Sequence, residues 1–237
     1  MGLIPNQMLA ARRRLSERYL TGRGIEIGAL HAPLHVGPAV EEIRYVDRLS
    51  PEQLRRQYPE LDGCDLVEVD IIDDGERLTQ IAPGELDFII ANHMLEHCEN
   101  PLGAMRTHLA KLRPGGMIYY AVPDKRYCFD AARPLTPFEH LVRDDQHGPE
   151  VSRRAHFAEW VRYVNQILDP VEAERQLERL LEIDYSIHFH VWDGDSFQTF
   201  LSEARLYLSG AFRLCEFQRN DTEIIAILQS VPQPRLD

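Results

Sequence analysis

Apolar residues along this chain fall into short continuous runs and longer stretches of helical spacing, and the two patterns alternate. Phe88-Ile89-Ile90-Ala91 has no polar alternation, which suits a strand buried on both faces of a parallel sheet. Asn100-Pro101 then starts a helix: the Asn side chain can accept from free N–H groups, and proline costs nothing at the first helical position. Leu102, Met105, Leu109 and Leu112 recur at helical spacing, Pro114-Gly115-Gly116 stops the helix, and Met117 to Val122 forms a second apolar strand. Strand, helix, strand predicts a right-handed crossover, with ligands beyond the carboxyl ends of the strands. Asn92, His93, Glu96 and His97 are thereby placed at the chemical edge.

The same pattern extends both ways. Upstream, Gln7 to Leu20 reads as a lead-in helix packing Met8, Leu15 and Leu20, and Gly22 and Gly24 end it. Strands are predicted at Gly24–Gly28, Ile43–Asp47 and Leu66–Asp70, with a short helix opened by Ser50-Pro51-Glu52. Downstream, the proline-rich stretch from Asp124 to Glu150 reads as a long ordered loop of the kind that forms lids. A helix carrying Phe157, Trp160, Val161, Val164, Ile167 and Leu168 follows, ended by Asp169-Pro170, and a second runs from Val171 to Ile183. Residues from about 124 to 190 are taken as an insertion covering the site. A helix over Asp193–Leu208 and an antiparallel hairpin of Phe212–Phe217 with Ile224–Leu228 complete the chain.

The 237 residues, 44% hydrophobic, suit a single domain, 1–237, with one sizeable core. Acidic residues outnumber basic ones 38 to 26, and a net charge of −12 repels phosphate backbones, which argues against a nucleic-acid partner. Arg12-Arg13-Arg14 reads as a solvated helix face. Cys64, Cys98, Cys128 and Cys215 form no CxxC pair, as expected of free thiols in a reducing compartment. The chain has no apolar signal core and no run near the roughly twenty residues of a membrane span, so a cytoplasmic location is expected.

Three acidic residues line up on successive strands. Glu26-Ile27-Gly28-Ala29-Leu30-His31 ends the first strand in a glycine turn, Asp47 closes the second, and Asp70-Ile71 follows on the third. With the segment HMLEHCENPLGAMRTHLAKLRPGG, these make the chain resemble class I S-adenosylmethionine-dependent methyltransferases. The turn departs from the family in carrying His31, Pro33 and Leu34 where further glycines are usual. A dinucleotide-binding oxidoreductase, the nearest rival with this fold, would need a GxGxxG turn, which is absent.

The resemblance implies an α/β, Rossmann-like, doubly wound sheet of seven mostly parallel strands, the last antiparallel, and S-adenosylmethionine as cofactor. It assigns Glu26, Gly28, Ala29, Asp47, Asp70, Ile71 and Asn92 to cofactor binding. Asp47 would accept from the ribose hydroxyls, Asp70 from the adenine amine, and the backbone N–H of Ile71 would serve a ring nitrogen. His97 aligns with a functional histidine of several small-molecule methyltransferases. His188 and His190 share one face of an alternating segment, Ser186 to Trp192, and could reach a substrate from the insertion. His140 and His147 are weaker candidates.

No metal is expected. His93-Met94-Leu95-Glu96-His97 satisfies the inverted zinc-protease pattern HxxEH, but that chemistry needs both histidines on one face of a long helix. The expected reaction is methyl transfer to a hydroxyl of a small-molecule or carbohydrate acceptor. The carbohydrate preference comes from the resemblance; Arg133, Glu139, Arg143, Asp144, Asp145 and Trp160 of the insertion could hold any polar metabolite. The alternatives are N-methylation of a small metabolite and a non-catalytic interaction module, against which the acidic ladder argues.

Overall fold

The computed structural model describes residues 6–232. Helix α1 (Asn6–Tyr19) leads into β1 (Gly22–Ile27), β2 (Val40–Asp47), α2 (Pro51–Gln57), β3 (Ile71–Ile72), β4 (Leu86–Asn92), α3 (Pro101–Lys111) and β5 (Leu112–Pro123). Helices α4 (Phe138–His147), α5 (Glu150–Tyr163) and α6 (Pro170–Glu182) follow, then α7 (Gly194–Tyr207), β6 (Phe212–Asn220) and β7 (Glu223–Ser230). The strands form one seven-stranded sheet in the order β3-β2-β1-β4-β5-β7-β6, in which β7 alone runs antiparallel. Strand order reverses at β1 and β4, which opens a crevice at their carboxyl ends.

Alternation along the strands feeds two cores. Ile25, Ile89, Ala91, Ile118 and Tyr120 face α3 and α7, packing on Leu102, Met105, Phe197, Phe200 and Leu201. Phe88, Ile90, Tyr119, Ala121, Ile225 and Ile227 face the other way, onto Leu15 within α1 and Leu20 just past its end. A third cluster belongs to the insertion: Phe157, Trp160 and Val161 of α5 pack against Leu177 and Leu180 of α6 and against Ile187 and Phe189. The expected capping at the helix starts is present. The Asn100 side chain accepts from Gly103 N at 2.8 Å, and Ser50 forms a reciprocal capping box with Gln53.

Four expectations need correction. The third strand is Ile71–Ile72, not Leu66–Asp70, because β2 pairs with Ile71 and Ile72, while Val67 N bonds Leu30 O outside the sheet. The stretch taken as a long loop contains α4, whose neighbouring prolines and missing side-chain cap hide it from a sequence reading. Helix α5 stops at Tyr163, and Leu168, expected on its apolar face, is 79% exposed. Ser186 to Trp192 is not a strand; its backbone is tied down by Phe189 N donating to Glu96 O at 2.8 Å and Val191 N to the Thr136 hydroxyl at 2.9 Å.

Candidate active site

A cavity of about 890 Å³ opens at the carboxyl ends of β1, β2 and β4 and runs under the insertion. One end is built from strand termini. Gly28 turns the chain after β1 with φ +66°, and a side chain there would meet nothing within 4 Å, so the space above the turn is open to a ligand. Asp47, Asp74, Gly75 and Met94 line the same end. Leu49 N donates to Asp47 Oδ1 at 3.3 Å; burial raises the Asp47 pKa, opposed by backbone donors.

The other predicted cofactor residues take different places. Glu26 is buried, and both its oxygens accept from Leu34 N at 3.0 Å, so it holds the turn down from beneath; burial pushes its carboxyl up to about 7. Asn92 lies beside Glu26 below the cavity, and Ala29 is buried under the turn. Asp70 precedes β3, is exposed, and accepts from Tyr45 N at 2.7 Å, away from the cavity. Ile71 packs on the core. The first carboxylate to meet the cavity beyond β3 is Asp74, four residues on and followed by Glu76, because the strand itself starts later than its apolar pattern suggests.

The floor of the cavity is a charged network. His93 leaves β4 in a left-handed conformation, φ 51°, and its Nε2 lies 3.0 Å from Glu223 Oε2, its Nδ1 3.5 Å from Glu96 Oε1. Arg12 donates to both Glu223 oxygens, at 2.9 and 2.5 Å. Burial alone would lower the His93 pKa, but Glu223 and Glu96 raise it to about 9; Glu223 is held at about 2 against its own burial by Arg12 and His93. His93 is therefore an imidazolium at neutral pH. Arg12 contradicts its reading as a solvated residue, since it shares the inward face of α1 with Met8 and Leu15, whereas Arg13 and Arg14 are exposed. That i, i+4, i+7 spacing was the available signal.

The far end of the cavity brings two histidines together. His188 Nδ1 lies 2.6 Å from Asp130 Oδ2, and Asp130 Oδ1 accepts from Arg133 at 2.8 Å. Burial raises the Asp130 pKa, but those two partners bring it below the usual carboxylate range. Arg133 also donates to His188 O and Glu159 at 2.8 Å each, so the segment carrying His188 is fixed at both backbone and ring. With Nδ1–H engaged by Asp130, the Nε2 lone pair of a neutral His188 is available. His97 stands edge-on to it, ring centroids 4.6 Å apart. His97 Nδ1 donates to Ile187 O at 2.9 Å, with Ser186 Oγ at 3.1 Å, and burial drives its pKa down to about 4.

Phe129, 52% exposed, and Trp160 flank His188 on the same wall. His190 does not line the cavity: without a strand the alternation argument fails, and the ring turns inward, its Nε2 3.3 Å from Glu99 O. Asp130 had no sequence signal; only folding brings it to a residue 58 positions away. The HxxEH pattern lacks its helix, since only Leu95–His97 forms a helical turn, although Glu96, His97 and His188 each place one ligand atom within 4.8 Å of the others.

The strand-end half fits S-adenosylmethionine: open space above Gly28, a carboxylate lining the cavity at the end of β2, and further carboxylates lining it beyond β3. Residues 7–204 match the family described as Methyltransferase domain. Among solved structures, an S-adenosylmethionine-dependent methyltransferase of Thermotoga maritima superposes with TM-score 0.50 at 12% identity over 95% of this chain and 88% of its own. A provisionally described Haloferax volcanii methyltransferase, in complex with the Trm112 activator, gives 0.52 at 11% identity over 95% and 90%. A Rhodobacter sphaeroides protein provisionally described as a zinc-dependent alcohol dehydrogenase gives 0.53 at 13% over 98% and 92%. Such likenesses establish the doubly wound fold, and the sequence match decides between the two chemistries that share it. No curated protein sequence matches the chain. No helix among the described residues is long and apolar enough to cross a membrane. The chain belongs to the methyltransferase-domain family and is a class I S-adenosylmethionine-dependent methyltransferase.

Proposed function

We propose that this enzyme methylates a hydroxyl of a small polar acceptor of the carbohydrate class, with His188 as the base. The observation that carries the proposal is the Asp130–His188 pair, set across the cavity from the strand ends. Asp130 fixes the ring and its tautomer, leaving Nε2 to take the hydroxyl proton, which is the arrangement general base catalysis requires. His97, neutral and backed by the Ile187 carbonyl, orients the acceptor beside it. With burial driving its pKa down to about 4, His97 is a poor proton acceptor near neutral pH, against the expectation from sequence. Phe129 and Trp160 offer aromatic surface on which the C–H face of a sugar ring can pack.

Bound S-adenosylmethionine supplies an electrophilic methyl group on a sulfonium centre. Asp47 would accept from its ribose hydroxyls, Asp74 from the adenine amine, and the Gly28 turn would admit the rest of the ligand. The insertion, residues 124–190, acts as the acceptor-side wall and keeps water from the transfer.

A second reading has its own support. Glu60, Asp74, Glu76, Glu99 and Asp184 line the cavity against Arg48 and charged His93, a balance that suits a cationic amine. Methyl-labelled cofactor incubated with a panel of sugars, sugar conjugates and small amines decides: labelled O-methyl products that require His188 support the proposal, and labelled N-methyl products that survive His188→Ala support the alternative.

A further inference from the structure

A second histidine cluster lies inside the insertion, apart from the cavity. His140 and Asp144 are one turn apart on α4, His156 faces them from α5, and His190 comes from the segment before α7. None of the four lines the cavity. His140 Nε2 is 2.9 Å from His156 Nε2 and 3.0 Å from Asp144 Oδ2, and His156 Nε2 is 3.9 Å from that oxygen. The three imidazoles each place a ring nitrogen within 4.8 Å of the others. Two polar atoms here are buried and complete no hydrogen bond: His190 Nδ1 and Asp144 Oδ2, the latter close to His140 but off its N–H direction. An interior that leaves a carboxylate oxygen and an imidazole nitrogen unsatisfied around the same pair of histidines is waiting for a partner.

We propose that His140, Asp144, His156 and His190 bind one divalent transition-metal ion of the zinc class. Four nitrogen and oxygen atoms around a tetrahedral ion with bonds of about 2.0–2.1 Å sit about 3.3 Å apart, and the three separations above bracket that value. The outer partners already select the ligand tautomers. His190 Nε2–H points to the Glu99 carbonyl, which frees Nδ1; the His156 ring also meets the Phe189 backbone, which leaves Nε2 inward; Asp144 Oδ1 takes the Ser152 hydroxyl at 2.8 Å, which leaves Oδ2. Burial lowers the pKa of all three histidines, so they are neutral ligands at pH 7.

One group opposes binding as drawn: Arg143 Nη2 is 2.6 Å from His140 Nδ1. Coordination through Nε2 puts the His140 proton on Nδ1, and Arg143, a surface residue, must swing out to solvent. With four protein ligands the site is closed, and its role is structural: it ties α4 and α5 to the segment that carries His188.

The test uses the full-length protein. After chelator dialysis it is titrated with Zn²⁺ or Co²⁺, and bound metal is counted by elemental analysis. One equivalent is expected in the wild type and in His97→Ala. His156→Ala and Asp144→Asn should each weaken binding by more than about a hundredfold, since loss of an outer partner alone costs 10–100-fold. Co²⁺ in the wild type should show the intense visible bands of four-coordination, a readout that needs no variant to fold. Less than a tenth of an equivalent, weak six-coordinate bands, or metal lost in His97→Ala and kept in His156→Ala would overturn the proposal, the last moving the ion to Glu96, His97 and His188.

Discussion

The two ends of the cavity are built on different principles. At the strand ends the chemistry is presented by sheet register: Gly28 and Asp47 are where they are because β1 and β2 stop there. At the insertion end every reactive ring is placed by a partner distant in sequence, His188 by Asp130 and His97 by Ile187 O, 58 and 90 residues away. A register-set site is legible from local pattern, and a partner-set site is not. The two should also fail differently: damage at the first end appears as lost cofactor affinity, damage at the second as lost turnover.

The largest effect tests that division directly. His188→Ala removes the base and should lower turnover by about 10²–10⁴-fold while calorimetry finds cofactor affinity nearly unchanged. Asp130→Asn, which keeps the shape and loses the charge, should lower turnover less. If cofactor affinity falls in step with turnover in both, the ends are not separable. Next comes the floor that joins them. Glu223→Ala leaves the buried Arg12 guanidinium without its carboxylate and takes one of two carboxylates from the cavity-facing His93. Breaking such a buried pair costs about 3–5 kcal/mol, readable as a large drop in denaturation midpoint. A midpoint within error of wild type would mean that water already screens the network.

A smaller effect sharpens the assignment at the strand ends. Asp47→Ala and Asp74→Ala each remove a charged acceptor worth about 1.5–3 kcal/mol, so cofactor should bind roughly ten- to hundredfold more weakly. Asp70→Ala should leave affinity unchanged, because its carboxylate serves Tyr45 N. Weakened binding in Asp70→Ala with none in Asp74→Ala would restore the sequence-based assignment.

That pair of aspartates shows where local reading stops. The β4–α3–β5 crossover was legible because apolar runs, the Asn100 cap and the Pro101 start all agree. The third strand was not, since Leu66 to Asp70 has strand character yet β2 pairs with only two residues beyond it, and the slip moved the cavity-lining carboxylate from Asp70 on to Asp74. Helix α4 has no capping side chain and lies between prolines, so nothing local announces it. Arg12 looked solvated because its neighbours are, and only its register with Met8 and Leu15 betrayed it. Asp130 could come only from the folded chain.

The smallest effect concerns what supports the strand-end loop from below. His108 on α3 is fully buried; its Nε2–H donates to Gly75 O at 2.8 Å, and the Tyr120 hydroxyl donates to its Nδ1 at 2.7 Å. Burial lowers its pKa from 6.5 to about 4. Below pH 6.5 the unfolded chain therefore takes up a proton that the folded chain refuses, so the stability due to neutral His108 is complete above that pH and is lost as pH falls towards 4. Between pH 7.5 and 5.5 the loss should be about 1 kcal/mol. His108→Gln can keep a donor to Gly75 without a titrating ring, and its denaturation midpoint should fall less than that of the wild type over the same interval. Equal falls would show that His108 is not held neutral, and that the loop above it does not depend on an uncharged ring.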